Sequence, residues 1–252
     1  MTERRKAETR IVVVKVGGSV LTGTRAFRRA AMFLKHRCDL APNEKFVVVV
    51  SARKRVTDRL EGQARRIVHT PSARALDLLW STGELRSVAL LALYLEALRI
   101  SSVGLNVHET GLCFSSLDNK DLSLADGHLE EAIAKHSVVV VPGFLATRST
   151  GEIASLGRGG SDLSAVLLAI GLRASRCELV KDVAGYFEAD PRANANARHL
   201  ASLSFDKAMR MANRGCEVVQ RRALLAASRA NLPLVIRSLD EKASASIVLS
   251  CK

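Results

Sequence analysis

The sequence predicts an α/β protein, a three-layer αβα sandwich around a mainly parallel central sheet. Short β-branched runs alternate along the chain with longer amphipathic segments. The runs are apolar on both faces, as strands covered by helices on either side must be. The third observation concerns size. A chain of 252 residues, 48% hydrophobic and 25% charged, can bury one continuous core, and it shows neither an internal repeat nor a low-complexity linker.

Taken in order, strands are expected at RIVVVKV (10–16), KFVVVVSA (45–52), ISSVGLNV (100–107), SVVVVPGF (137–144), RCELVKDV (176–183) and LPLVIRS (232–238). Helices or helix pairs are expected over 25–38, 57–69, 74–99, 125–136, 161–173 and 204–230, with HTPSAR (69–74) as a mobile surface connection. In such a sheet, ligands sit at the carboxyl ends of the strands. The segments KVGG, SARKR, PGF and KDVAG, which end the first, second, fourth and fifth strands, are therefore where functional residues belong.

Composition narrows the function classes. The longest apolar run, VALLALYL (88–95), is far shorter than the ~18 residues of a membrane span, and the basic MTERRKAETR is followed only by IVVV before Lys15, so no signal peptide or span is expected. Five scattered cysteines, odd in number and never in a C-x-x-C pair, fit reduced thiols in a cytoplasmic protein. No metal site is expected from protein groups: HLEEAIAKH (128–136) is not the H-E-x-x-H arrangement. The net charge of +13 is spread along the chain and aromatics make up only 4%, so attraction for small polyanions such as nucleotides is favoured over nucleic-acid binding.

Several constellations could carry chemistry. Gly17, Gly18 and Ser19 follow the first strand with Lys15 just before them, which suits an anion or simply a tight βα turn; neither a Walker P-loop nor a dinucleotide fingerprint is present. In SLGRGGSDLSAVLLA (155–169), Gly157, Gly159 and Gly160 form a loop, Ser161 is the expected N-cap, and the helix behind it turns its positive end to the same anion. Arg158 can grip a carboxylate or phosphate, while Asp162 is either a first-turn acid or a partner for a cation. Glu84, in STGELRSVALLALYL (81–95), reads as an acid opening an apolar helix. KDVAGYFEADPRA (181–193) has the length and polarity of a ligand-wrapping loop.

In this order, KVGGS, VVSA…VTD, STGELRSVALLA, VPGF…TGEIASLGRGGSDLSAVLLA, CELVKDVAGYFEADPR and NLPLVIRSLD resemble the amino acid kinase family, and within it the catalytic domain of the aspartokinases. The resemblance runs from about residue 10 to 250. It implies an ATP-dependent kinase using Mg²⁺ and phosphorylating a small carboxylate, L-aspartate to 4-phospho-L-aspartate, with a homodimer as its assembly. By similarity, Lys15 and Asp162 are the catalytic pair, Lys15 contacting the transferring phosphate and Asp162 orienting it. Ser51, Thr57, Glu84, Arg158 and Ser161 belong to the substrate, Glu84 receiving its α-amino group and Arg158 its α-carboxylate. Gly17, Gly18, Ser19, Gly159, Gly160, Asp182, Phe187, Asp190 and Arg192 belong to phosphates and nucleotide, Phe187 standing near the adenine; Lys181, where aspartokinases often carry threonine or serine, either faces the phosphates too or is a solvated strand-end lysine. The alternatives left open are another small anion as acceptor, such as UMP or an alkyl phosphate, and a nucleotide-binding homologue without catalysis.

Two departures from the aspartokinase pattern bear on the phosphate site. Arg53-Lys54-Arg55 replaces a glycine pair, so this loop is expected to be reshaped, since left-handed backbone is costly for such residues. Glu217 stands where the pattern has a cationic lysine, and the displaced charge is expected from Lys54, Arg55, Arg221 or Arg222. A single kinase domain over 1–252 is expected, 1–145 mainly a substrate lobe and 146–252 mainly a nucleotide lobe. The regulatory ACT domains common in aspartokinases, and with them feedback inhibition by lysine or threonine, are not expected in these residues.

Overall fold

β1 (Arg10–Val16) is buried from Val12 onward on both faces, which only a central strand can be. The computed structural model describes residues 9–114, 122–125, 127–157, 159–191, 193–194 and 196–250. After β1 come α1 (Thr24–Leu40), β2 (Glu44–Val50), α2 (Val56–Ile67), α3 (Ala73–Ala97), β3 (Ser102–Gly104), β4 (Leu112–Phe114), β5 (Leu122–Leu124), α4 (His128–Lys135), β6 (Val138–Pro142), β7 (Leu145–Thr147) and β8 (Ile153–Ser155). The second half adds α5 (Gly160–Gly171), β9 (Arg176–Val180), β10 (Tyr186–Phe187), β11 (His199–Leu200), β12 (Ser202–Ser204), α6 (Phe205–Asn213), α7 (Arg221–Arg229), β13 (Leu234–Arg237) and β14 (Ser246–Leu249).

Eight strands form the main sheet in the order β12-β14-β13-β9-β1-β2-β6-β3, all parallel except the β13–β14 pair. Alternation along β1 sorts the layers: Val12, Val14 and Val16 pack with α1 and α3, whereas Val13 packs with α4 to α7. Lys15 follows the same alternation onto the α5 side. The chain runs from β1 to β2 on one side and reaches β9 on the other, so the loops after β1 and β9 diverge. Between them opens the crevice where open α/β sheets bind ligands.

A buried ion network fastens α1 to this sheet. Arg37 grips Glu178 of β9 with two bonds of 2.7 and 2.8 Å, and Arg176 bridges Glu178 and Glu44. Burial alone would push the Glu178 carboxyl up, but the arginines outweigh it and bring it down to about 2.

The 204–230 segment, expected as a helix or a helix pair, is the pair α6 and α7, divided at Gly215, whose φ is +92°. Elsewhere the observed elements differ from expectation where packing overrides local pattern. Two small sheets, β5-β4-β7-β8 and β10-β11, had no clear sequence signature because their strands have only two or three residues. Glu84 is not a first-turn acid: α3 starts eleven residues earlier, capped by Ser72, and Glu84 lies on its buried face with Ser81, Val88 and Leu91. Ser161 is not the N-cap of α5 either; Gly159, at φ +72°, occupies that place and Ser161 falls inside the first turn. Arg55 takes the left-handed conformation (φ +67°) that arginine was expected to avoid, at a cost of about 1 kcal/mol. The 52–54 backbone holds that turn in place, with the Lys54 N–H donating to Gly18 O at 3.0 Å. No helix among the described residues is long and apolar enough to cross a membrane.

Candidate active site

The end of β1 places Lys15, and the first turn of α5 places Asp162, on the same side of the sheet. Their ion pair measures 2.8 Å, and both are buried (7% and 5% exposed). At the end of β9, next to β1, Lys181 reaches the other oxygen of the same carboxylate at 2.6 Å. The Gln220 backbone N–H, at the start of α7, donates to that oxygen at 3.3 Å. Burial by itself would raise the Asp162 carboxyl, but the two lysines outweigh it and hold it well below the usual carboxylate range. Burial and the like charge of Lys15 pull the Lys181 ammonium downward, against Asp162.

Three spaces that share wall residues surround this triad. One, of about 260 Å³, is lined by Lys15, Ser51, Ala52, Thr57, Glu84, Phe144, Gly159, Gly160, Ser161, Asp162 and Lys181. A second, of about 730 Å³, runs along the 182–191 loop and the 211–218 segment, with Ser19, Lys181, Asp182, Phe187, Asp190 and Glu217 on its walls. Between them lies a space of about 350 Å³ bounded by Gly159, Asp162, Lys181, Glu217, Val218 and Gln220.

Glu84 closes the smaller cavity. It is 3% exposed and accepts the Ala52 N–H at 2.6 Å. Burial drives its carboxyl up to about 8, against the opposing pull of the Ala52 N–H and of Lys15. An acid held in this way ionises more readily when a cation arrives beside it, which suits an ammonium-bearing ligand.

The expected site residues thus fall into groups. Lys15, Ser51, Thr57, Glu84, Gly159, Gly160, Ser161 and Asp162 share the smaller cavity; Ser19, Asp182, Phe187 and Asp190 line the larger one; Lys181 lines both. Gly17 and Gly18 do not line either. The Gly17 N–H already donates to Val180 O at 3.3 Å, and a Cβ at Gly18 would run into the Ala52 carbonyl, so both glycines serve the fit of the β1 turn against its neighbours. Arg158 and Arg192 lie outside the described residues. Of the four cations expected to offset Glu217, none lines these cavities: Arg222 instead donates to Leu156 O at 2.9 Å, locking α7 to the glycine turn.

Three contributors were missed in the sequence. Phe144, strained at φ +68° with its ring edge against Trp80, walls the smaller cavity. Its PGF context marked a strand end but gave no chemical signal. The Ala52 and Gln220 backbone N–H groups hold the two buried acids, and backbone donors have no residue signature.

Known proteins resemble this chain in sequence and in fold. Residues 10–238 match the profile of the amino acid kinase family. The chain is 34% identical over 240 residues to an aspartokinase of Geobacillus stearothermophilus, covering 94% of this chain and 58% of the relative, so it spans a little over half the length of that protein. An aspartate kinase from Synechocystis superposes with a TM-score of 0.83 at 33% identity, over 96% of this chain and 40% of the other. A uridylate kinase from Archaeoglobus fulgidus shares the fold at a TM-score of 0.67 and 19% identity, over 94% and 99%. Since the family profile takes in all but the two ends of these 252 residues and solved relatives superpose on the same sheet, the chain belongs to the amino acid kinase family.

Proposed function

We propose that the protein transfers the γ-phosphoryl group of ATP to the side-chain carboxylate of L-aspartate, giving 4-phospho-L-aspartate and ADP. The observation that carries this reading is the pairing of a small cavity closed by buried Glu84 with a large loop-lined cleft, joined through Lys15, Asp162 and Lys181. The aspartokinase relative supports it. Glu84 takes the α-amino group, Ser51, Thr57 and Ser161 position the acceptor, and Arg158, flanked in sequence by Gly157 and Gly159, takes the α-carboxylate. The 182–191 loop, with Asp182, Phe187 and Asp190, and Arg192 beyond it, holds the nucleotide. On this reading residues 1–145 mainly serve the acceptor and 146–252 mainly the nucleotide.

The residue types suit the chemistry. A carboxylate acceptor with a usual pKa of ~4 is already ionised at neutral pH, so its attack requires no general base. What opposes reaction is repulsion between two anions. Lys15, fixed by Asp162 at 2.8 Å, and the N-terminus of α5 relieve that repulsion by electrostatics and positioning.

Mg²⁺ is assigned as arriving with ATP. Among the described residues no group of three or more Asp, Glu, His or Cys side chains could hold a metal ion, whereas a magnesium bound mostly by phosphates needs only one or two carboxylates. Asp182, 3.4 Å from Ser19 Oγ on the cleft wall, is the residue placed to take that part, and the ion would neutralise phosphate charge there. The test is ADP release across an acceptor panel of L-aspartate, other amino acids, UMP and alkyl phosphates. Turnover confined to L-aspartate supports the reading, and turnover with UMP alone overturns it. The homodimer that goes with this reading is checked by light scattering of the purified protein.

A further inference from the structure

Ser246 of β14 is fully buried, and its hydroxyl ties together β10, which belongs to the 182–191 loop, and β11. The Tyr186 N–H donates to Ser246 Oγ at 2.8 Å, and the Ser246 hydroxyl donates to Leu200 O at 2.6 Å. Tyr186 and Leu200 are themselves partners across the β10–β11 pair. His199 Nε2 lies 3.1 Å from the same hydroxyl oxygen. The one hydroxyl hydrogen is taken by a carbonyl, which can only accept, so His199 Nε2 is the donor in this contact.

The same group reaches the wall of the large cleft. The His199 ring meets the Phe187 ring edge to face, with centroids 5.1 Å apart, and Phe187 lines the cleft. Gly185 lines it too, and a Cβ there would run into Ser246 Oγ and His199 Nε2. A pair of two-residue strands has little stability of its own, so its placement depends on what anchors it. Ser246 is such an anchor, since β14 belongs to the main sheet.

We propose that Ser246 and His199 are positioning residues for nucleotide binding: through the Tyr186 N–H and the Phe187 ring they fix the aromatic face that the base meets. The inference rests on the kinase reading above, in which the 182–191 loop holds the nucleotide. Aromatic contacts depend on ring geometry, and a ring already held in place loses less freedom when the base arrives.

The test compares binding of MgADP with that of magnesium tripolyphosphate, which has phosphates and no base, by calorimetry on the full chain. Ser246→Ala should weaken MgADP by about fivefold, the loss expected for a buried hydrogen bond, and change tripolyphosphate by less than about twofold. His199→Gln keeps a donor for Ser246 but removes the ring, and should weaken MgADP by about threefold. In a Phe187→Ala background neither change should weaken MgADP further, because the ring they position is gone. His69→Gln, on the exposed connection between α2 and α3, should alter neither ligand. Equal losses for the two ligands, or a further loss in the Phe187→Ala background, would show a general structural role and overturn the proposal. Unchanged MgADP affinity in both variants, or a wild type that binds MgADP no tighter than tripolyphosphate, would overturn it as well. Should Ser246→Ala fail to fold, half-buried His199 decides the matter through His199→Gln. These measurements involve no acceptor. A protein that never phosphorylates aspartate would thus refute the acceptor assignment while the roles of Ser246 and His199 are decided by binding.

Discussion

Replacing Glu84 by glutamine should stabilise the protein while damaging acceptor binding, and the stability gain should grow with pH. The Glu84 carboxyl is pushed from its usual 4.5 up to about 8 by burial. Below pH 4.5 it is protonated folded or unfolded and contributes nothing. As pH rises from 4.5 towards 8 the unfolded chain gives up a proton that the native state keeps, and stability falls; above 8 the full cost is present. At ~1.4 kcal/mol per pH unit, that cost is on the order of 5 kcal/mol. Glutamine keeps an oxygen for the Ala52 N–H and carries no charge, so Glu84→Gln should match wild type at pH 4.5 and melt higher at pH 9, by roughly 10 °C for a chain of this size. The same change should raise KM for the amino-acid acceptor by roughly 10- to 100-fold, the loss expected for a charged hydrogen bond. Melting curves from pH 4.5 to 9 with acceptor kinetics check both. A stability difference that stays constant with pH would show that Glu84 is not held protonated by burial, and an unaltered KM would show that it does not meet the acceptor.

Other substitutions probe different parts of the account. Asp162→Asn should abolish turnover and cost about 3–5 kcal/mol of stability, because it leaves two buried lysines without a counterion; denaturant unfolding and ADP release measure the two effects. Gly18→Ala should lower stability by about 1–3 kcal/mol, since its Cβ would run into the Ala52 carbonyl, which is backbone and cannot step aside; a melting temperature equal to wild type would remove that packing argument. Glu178, brought down to about 2, contributes stability that is fully present above pH 4.5 and lost as pH falls through 2. Glu178→Gln should accordingly flatten the acid limb of the unfolding profile, as read by circular dichroism.

The sheet was legible because its central strands are unbroken valine runs: nothing but two covered faces suits VVVV at 47–50 or 138–141. The site was legible where chemistry is tied to particular side chains, as with Lys15, Glu84 and Asp162. Backbone geometry was not. Whether Arg55 or Phe144 could occupy the left-handed region depended on neighbours distant in sequence, Gly18 for one and Ser164 for the other, whose hydroxyl accepts the Phe144 N–H at 3.1 Å. The same limit explains the cation expected opposite Glu217. Lys54, Arg55, Arg221 and Arg222 adjoin the relevant segments in sequence. Yet it is the register of β9 beside β1 that brings Lys181, rather than those four, to Asp162.

The most direct test of the central claim is to incubate the protein with MgATP, L-aspartate and hydroxylamine, and to measure aspartyl hydroxamate and ADP together. An acyl phosphate is trapped as the hydroxamate, whereas a phosphate ester or anhydride is not. Hydroxamate and ADP are expected in equal amounts, dependent on L-aspartate. ADP formed without hydroxamate, or ATP bound with no ADP released, would contradict phosphoryl transfer to aspartate.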